Sequence, residues 1–155
     1  GAARYGNFEL IYEAPLAKKS SLDGIYKSTN IVHDAKIGGL KSEKQETPSE
    51  VVYKFYSPYG CAGVPNDLSK QDDDTDGAIF EGEFLNEKGT ISISLDLGLT
   101  WQDVHSAGGK FKLDLTPMLE TKHCWLVKLG FSGTNSGLKS FKSYISGQLS
   151  PASLQ

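Results

Sequence analysis

Apolar and polar positions alternate along several short stretches of this chain, with a period of two rather than the 3.6 of a helix. Ala78–Leu85 sets Phe80 and Phe84 on one face and Glu81 and Glu83 on the other, the pattern of a half-buried strand. Thr90–Leu95 repeats it, with Ile91, Ile93 and Leu95 inward and three hydroxyl side chains outward. Lys110–Leu115 brings Phe111, Leu113 and Leu115 into one phase. Val51–Tyr56 (Val-Val-Tyr-Lys-Phe-Tyr) is the clearest strand by composition, being β-branched and aromatic almost throughout. Cys124–Phe131 and Leu138–Leu149 read as two further long strands, the second built around Phe141 and Ile145.

The remaining elements are weaker. Phe8–Glu13 predicts a first strand stopped by Pro15, and Ile25–His33 a strand of imperfect alternation. Lys18–Gly24 and the run from Gly38-Gly39 through Lys41–Ser49 read as exposed loops. Asp114–Leu119 fits one helical turn, with Thr116 as N-cap and Pro117 in the first position. About nine strands, turn signals every 8–12 residues and no amphipathic helix predict an all-β fold. The expected architecture is a single antiparallel β-sandwich, jelly-roll-like, over residues 1–155. The close of the chain at Ser150–Gln155, without a polar tail, suggests a domain cut from a longer one.

Composition narrows the function classes. The 155 residues carry a net charge of −3, which disfavours a nucleic-acid partner held by bulk electrostatics. No apolar run approaches the roughly 18 residues of a membrane span. Cys61 and Cys124 lack metal-site spacing and can make one disulfide if the protein is exported. The acids are unevenly placed. Six of them (Asp72, Asp73, Asp74, Asp76, Glu81, Glu83) fall within Asp72–Glu83, a stretch without Lys or Arg.

Asp72–Gly77 reads D-x-D-x-D-G, a calcium-loop pattern. Calcium takes six to eight oxygens, and alternate carboxylates in a tight loop supply several from one segment. Asp72, Asp74 and Asp76 would ligate by side chain, Ala78 by its carbonyl, and Gly77 would permit the turn. Glu83 falls at the twelfth position of the pattern. If Ala78–Leu85 is extended, however, Glu83 stands roughly 16 Å from Ala78 and another loop must complete the shell. Solvation of an acidic turn is the alternative to a bound ion.

Ser94–Trp101 matches S-x-D-x-G-x-T-W, the Asp-box hairpin. Its residues have local tasks. Asp96 can accept backbone N–H bonds within the turn, Gly98 takes a positive φ without steric cost, and Trp101 anchors the hairpin in apolar surroundings. The motif resembles that of sialidase-like propellers and other secreted β proteins. A sialidase is excluded, because those enzymes bind the substrate carboxylate with three arginines and this chain has only Arg4. Taken with Ser57-Pro58-Tyr59-Gly60-Cys61, Gly108-Gly109 and the Trp125 strand, the region from Val51 to Leu149 resembles β-sandwich modules of large secreted bacterial carbohydrate-active and surface proteins. That resemblance implies a non-catalytic module, extracellular or on the cell surface, beside neighbouring domains of a parent protein.

Catalytic residues do not stand out. His33, His105 and His123 are the natural general bases, and none lies in a nucleophile motif. Sugar binding needs less, since an exposed aromatic ring stacks on the CH face of a pyranose while polar groups meet its hydroxyls. Tyr56, Tyr59, Trp125 and Tyr144 are the candidate platforms, although Trp125 shares a core-facing phase with Val127, Leu129 and Phe131. The expected function is a calcium-stabilised carbohydrate-binding or accessory module with a polysaccharide or glycan as partner. A structural or protein-interaction spacer and a small polysaccharide-active enzyme are the other two readings.

Overall fold

The computed structural model describes residues 7–57, 77–86 and 88–148. Among them the chain forms β1 (Asn7–Glu13), a 3-10 turn (Lys19–Leu22), β2 (Lys27–Thr29), β3 (Ile31–Asp34), β4 (Gly39–Ser42), β5 (Ser49–Tyr56), β6 (Ala78–Leu85) and β7 (Gly89–Ser94). Then follow β8 (Gln102–Ser106), β9 (Gly109–Asp114), the single turn α1 (Thr116–Leu119), β10 (Cys124–Phe131) and β11 (Gly137–Gln148). The expectation of an all-β sandwich is met by two antiparallel sheets. The first runs β3-β4-β11-β6-β9, and the second β2-β5-β10-β7-β8. Strand β1 joins the first sheet along β11, from Asn7 opposite Gln148 to Glu13 opposite Lys142, while β4 uses Gly137 and Leu138 at the other end.

Alternation explains the core. Trp125, Val127, Leu129 and Phe131 of β10, Val51, Tyr53 and Phe55 of β5, and Ile91 and Ile93 of β7 turn inward from the second sheet. They meet Phe80, Phe84, Phe111, Leu138, Phe141 and Ile145 from the first. Phe141 sits at the centre, stacked on Phe80 at 6.0 Å between centroids and tilted against Tyr53 at 5.0 Å. Each such side chain stabilises the fold by about 1.5–3 kcal/mol through burial. Within the first sheet, β6 and β11 approach one another tightly along their ladder. A Cβ on Gly82 would collide with the Ser140 carbonyl oxygen, beside a register shift between Leu138 and Ser140.

Four local expectations change. The predicted strand Ile25–His33 is two strands in different sheets, β2 and β3, broken at Asn30 with φ 56°. The Asn30 amide holds that crossing, donating to the carbonyls of Lys44 and Thr47 at 2.8 and 2.7 Å and accepting from the Lys44 N–H at 2.7 Å. Part of the expected long loop pairs instead as β4, with Leu40 wholly buried. Leu95, expected inward, is 45% exposed because β7 ends at Ser94 and the chain turns away. Thr116 is the first residue of α1 rather than its cap, and its hydroxyl donates to Asp114 and accepts the Ala78 N–H at 2.9 Å.

Candidate functional site

Two strand edges create a cleft at one side of the sandwich. In the second sheet β2 covers β5 only as far as Val52, which pairs with Lys27, so the edge of β5 from Tyr53 onward lies beyond β2. In the first sheet β1 is the outer strand along this end of β11. Between these edges lies a cavity of about 300 Å³, walled by Leu10, Tyr12, Phe55, Tyr56 and Ile145, with Gly24 from the preceding loop at its side. The space suits a ligand of one or two rings.

The walls are aromatic and the floor carries hydroxyls. Tyr12 leans on Tyr53 and on Phe55, each at 5.7 Å between centroids, and Tyr53 continues inward to Phe141. Tyr12 and Ser143 are direct partners across the β1–β11 ladder, so their side chains leave the same face of the sheet. Tyr12 Oη, Tyr53 Oη and Ser143 Oγ are all shielded from solvent, and none has a hydrogen-bond partner among the described residues. Tyr53 and Ser143 are each only 1% exposed. Leaving a buried hydroxyl unpaired costs about 1–3 kcal/mol, so three around one cavity mark a stretch where packing alone is not being optimised.

Burial also sets the chemistry of the two phenols. It pushes the Tyr12 hydroxyl above its ordinary range, and pushes that of Tyr53 further, with the neighbouring Tyr12 adding to the effect. Both remain neutral O–H groups at physiological pH, able to donate one hydrogen bond and accept others. The described lining has no carboxylate and no imidazole.

The aromatic candidates from the sequence are dispersed. Tyr56 forms the rim of the cleft and is 70% exposed. Tyr144 stands in register with Ile11 and Ile79, on the opposite face of β11 from Ser143. Trp125, at 1% exposure, lies between the sheets and has no ring face to offer a sugar. Tyr59 lies outside the described residues. The three histidines occupy β3, β8 and the turn before β10, where His123 Nδ1 lies 3.0 Å from the Ser57 carbonyl. Cys124 has no disulfide partner among the described residues, and Cys61 lies outside them.

The metal candidates divide in a similar way. Asp72, Asp74 and Asp76 lie outside the described residues. Just after them, Gly77 donates to Ser146 Oγ at 2.8 Å, and the Ala78 carbonyl accepts the Leu115 N–H at 2.8 Å. Strand β6 is extended from Ala78 to Leu85, which puts Glu83 roughly 16 Å up the strand, too far for both to bind one ion. Glu83 is instead in register with Lys110, and Glu81 lies between Lys112 and Lys142. Register therefore sets two acids of the acidic concentration directly opposite lysines, an arrangement that favours cross-strand attraction. Among the described residues no three His, Cys, Asp or Glu side chains gather as a metal site.

The Ser94–Trp101 turn is satisfied within itself. Ser94 Oγ donates to Asp96 Oδ1 at 2.8 Å and accepts the Gly98 N–H at 2.8 Å. Asp96 also takes the Thr100 N–H at 2.8 Å and the Thr100 hydroxyl. These bonds, the Thr100 hydroxyl first, bring the Asp96 carboxyl down to about 2. Leu97 and Gly98 take the positive φ values, 59° and 96°, that the tight reversal requires. Trp101 does not enter the inter-sheet core. It folds over the outer face of the second sheet, beneath the Lys128 ammonium at 4.1 Å and beside Leu126.

Tyr12, Tyr53 and Ser143 were not singled out by sequence reasoning. The available signal was a hydroxyl at an inward-facing strand position, three times over, in strands that the fold brings together. No model of a known protein family matches this chain, and no curated protein matches it significantly.

Proposed function

We propose that this chain is a non-catalytic carbohydrate-binding module of a secreted multidomain protein, and that the cleft between β1 and β5 takes a sugar ring. The observation that carries the reading is the set of unpartnered hydroxyls of Tyr12, Tyr53 and Ser143 in an aromatic-walled cavity. A pyranose has the matching division, apolar CH faces for Tyr12, Phe55 and Tyr56 and hydroxyls for the three O–H groups. Neutral phenols and a serine hold such a ligand without supplying the carboxylate pair or imidazole that cleavage generally employs.

Tyr53→Phe tests the reading with little structural disturbance. It removes only a hydroxyl that has no partner among the described residues, so the variant should fold as well as the parent. Its affinity for a glycan found by array screening should fall about tenfold, a loss of about 1.4 kcal/mol, measured by calorimetry. Undiminished binding in both Tyr53→Phe and Ser143→Ala would overturn the cleft as the site. Failure of the parent on neutral and acidic polysaccharides alike would favour a structural spacer.

Calcium belongs to the same proposal as a stabilising ion on Asp72, Asp74 and Asp76. The alternate carboxylates support it, as does the fixed downstream end of that stretch, where Gly77 and Ala78 are bonded to Ser146 and Thr116. Chelation should lower the melting temperature and added calcium restore it. A flat calorimetric titration, together with a melting temperature indifferent to chelator, would remove the ion from the account.

A further inference from the structure

The outer face of the second sheet carries a different set of side chains. Tyr26, Lys27, Ser28 and Thr29 on and before β2, Glu50 and Val52 on β5, and Leu126 and Lys128 on β10 surround a groove of about 220 Å³. The Ser94–Trp101 turn forms its far wall with Leu97, Gly98 and Trp101. Lys27, Val52 and Lys128 share one row across the sheet, Val52 pairing with both lysines.

Charge and aromatic surface coincide here. Lys128 Nζ stands 4.1 Å from the Trp101 ring centroid, while Lys27 and Lys54 reach the Tyr26 ring at 5.6 and 5.5 Å. None of the three ammoniums has a carboxylate partner among the described residues, in contrast to Lys41, which pairs with Asp34 at 2.9 Å. Glu50 is the one acid in the groove lining. A cation over an aromatic ring is held by about 0.5–1 kcal/mol at an exposed site, less than a charge-assisted hydrogen bond to an anion supplies. The lysines are thus placed to leave their rings for an incoming carboxylate, and in doing so they uncover the ring faces. An acidic pyranose uses both consequences at once, its carboxylate meeting the ammoniums and its CH face the uncovered Tyr26 ring.

We propose that the groove bounded by Tyr26, Lys27, Lys128 and the Trp101 turn is a second binding site, specific for a uronate residue of an acidic polysaccharide. It is separate from the cleft between β1 and β5, and it gives the Ser94–Trp101 turn the task of holding the groove's far wall. The chain's net charge of −3 disfavours a polyphosphate held by bulk electrostatics, so a ligand of this face must also use its ring surfaces, as a uronate does.

Affinity electrophoresis of the full chain in gels containing polygalacturonate, alginate or hyaluronan tests the proposal, with fully methyl-esterified polygalacturonate and dextran sulfate as controls. The expected result is retardation by at least one uronate polymer. Where polygalacturonate is the one bound, its esterified form should not retard the protein. Lys27→Ala and Lys128→Ala should each weaken the retardation about fivefold to tenfold, and Tyr26→Ala should weaken it as well. Tyr53→Phe reports on the cleft and the lysine and Tyr26 variants on the groove, so retardation lost in Tyr53→Phe but kept in all three groove variants overturns this proposal and leaves the cleft reading standing. Retardation by none of the three uronate polymers overturns the proposal. So does equal retardation by esterified and free polygalacturonate, or retardation that follows charge density alone, strongest in dextran sulfate and indifferent to Tyr26→Ala.

Discussion

The Ser94–Trp101 turn and the cleft between β1 and β5 use similar polar side chains to opposite effect. In the turn, the Ser94 hydroxyl and the Asp96 carboxylate meet one another, the N–H groups of Gly98 and Thr100, and the Thr100 hydroxyl. In the cleft, Tyr12, Tyr53 and Ser143 carry hydroxyls that are withdrawn from water and find no partner among the described residues. A closed network defines a backbone shape, and every atom in it is already occupied. An open set of donors and acceptors leaves the protein short of stability until something else enters. The sequence advertises the first, because its residues lie within eight positions and follow a known spacing. It hides the second, whose members come from β1, β5 and β11.

Four measurements would break or sharpen that contrast. Ser94→Ala should have the largest effect, since it strands the Gly98 N–H and withdraws a donor from Asp96, lowering stability by about 1–3 kcal/mol in urea denaturation. Stability within a few tenths of the parent would mean that the turn network is ornamental. Gly98→Ala comes next, at about 1 kcal/mol or somewhat more, because φ is 96° there and a Cβ resists that conformation. Tyr53→Phe should go the other way, leaving stability unchanged or raising it by up to about 1 kcal/mol, because the hydroxyl it removes has no partner. A clear loss of stability would show that the Tyr53 hydroxyl is structurally engaged.

The smallest effect concerns pH. Asp96 has its folded value brought down to about 2, below its ordinary carboxylate value of 3.8. The stabilisation tied to that difference is present above the unfolded value, and it is lost as pH falls through the interval down to about 2. The side chain is exposed, so solvent screening keeps the contribution small. Melting temperatures recorded from pH 5 to pH 2 should fall slightly less steeply in Asp96→Asn than in the parent. Identical slopes would dissociate the depressed carboxyl from stability.

Much of the sandwich is legible from local pattern because local pattern decides it. Strands β6, β7, β9 and β10 alternate strictly enough that burying their apolar face fixes both conformation and orientation. Strand β4 escapes notice because Gly39-Leu40-Lys41-Ser42 offers one large apolar residue, and its strand character comes from pairing with β3 and β11. The break at Asn30 is invisible for a related reason. Its amide is satisfied by Lys44 and Thr47, whose proximity only the finished fold creates. At the cleft, Tyr56 is recognisable as an aromatic residue at the end of a strand. Tyr53 looks like any inward-facing core residue, and only the absence of a partner for its hydroxyl sets it apart.

The pairing of β1 with β11 has a mechanical consequence. Asn7 stands opposite Gln148 at one end of an antiparallel ladder, so whatever polypeptide precedes the first and follows the second departs from adjacent points. Tension applied through those two departures would open the ladder one hydrogen bond at a time, like a zip, instead of loading all of its bonds together in shear. The same hinge-like placement makes β1 the first strand to yield under load. Because β1 carries Leu10 and Tyr12, pulling on the chain would open the cleft before it disturbed the groove on the opposite sheet.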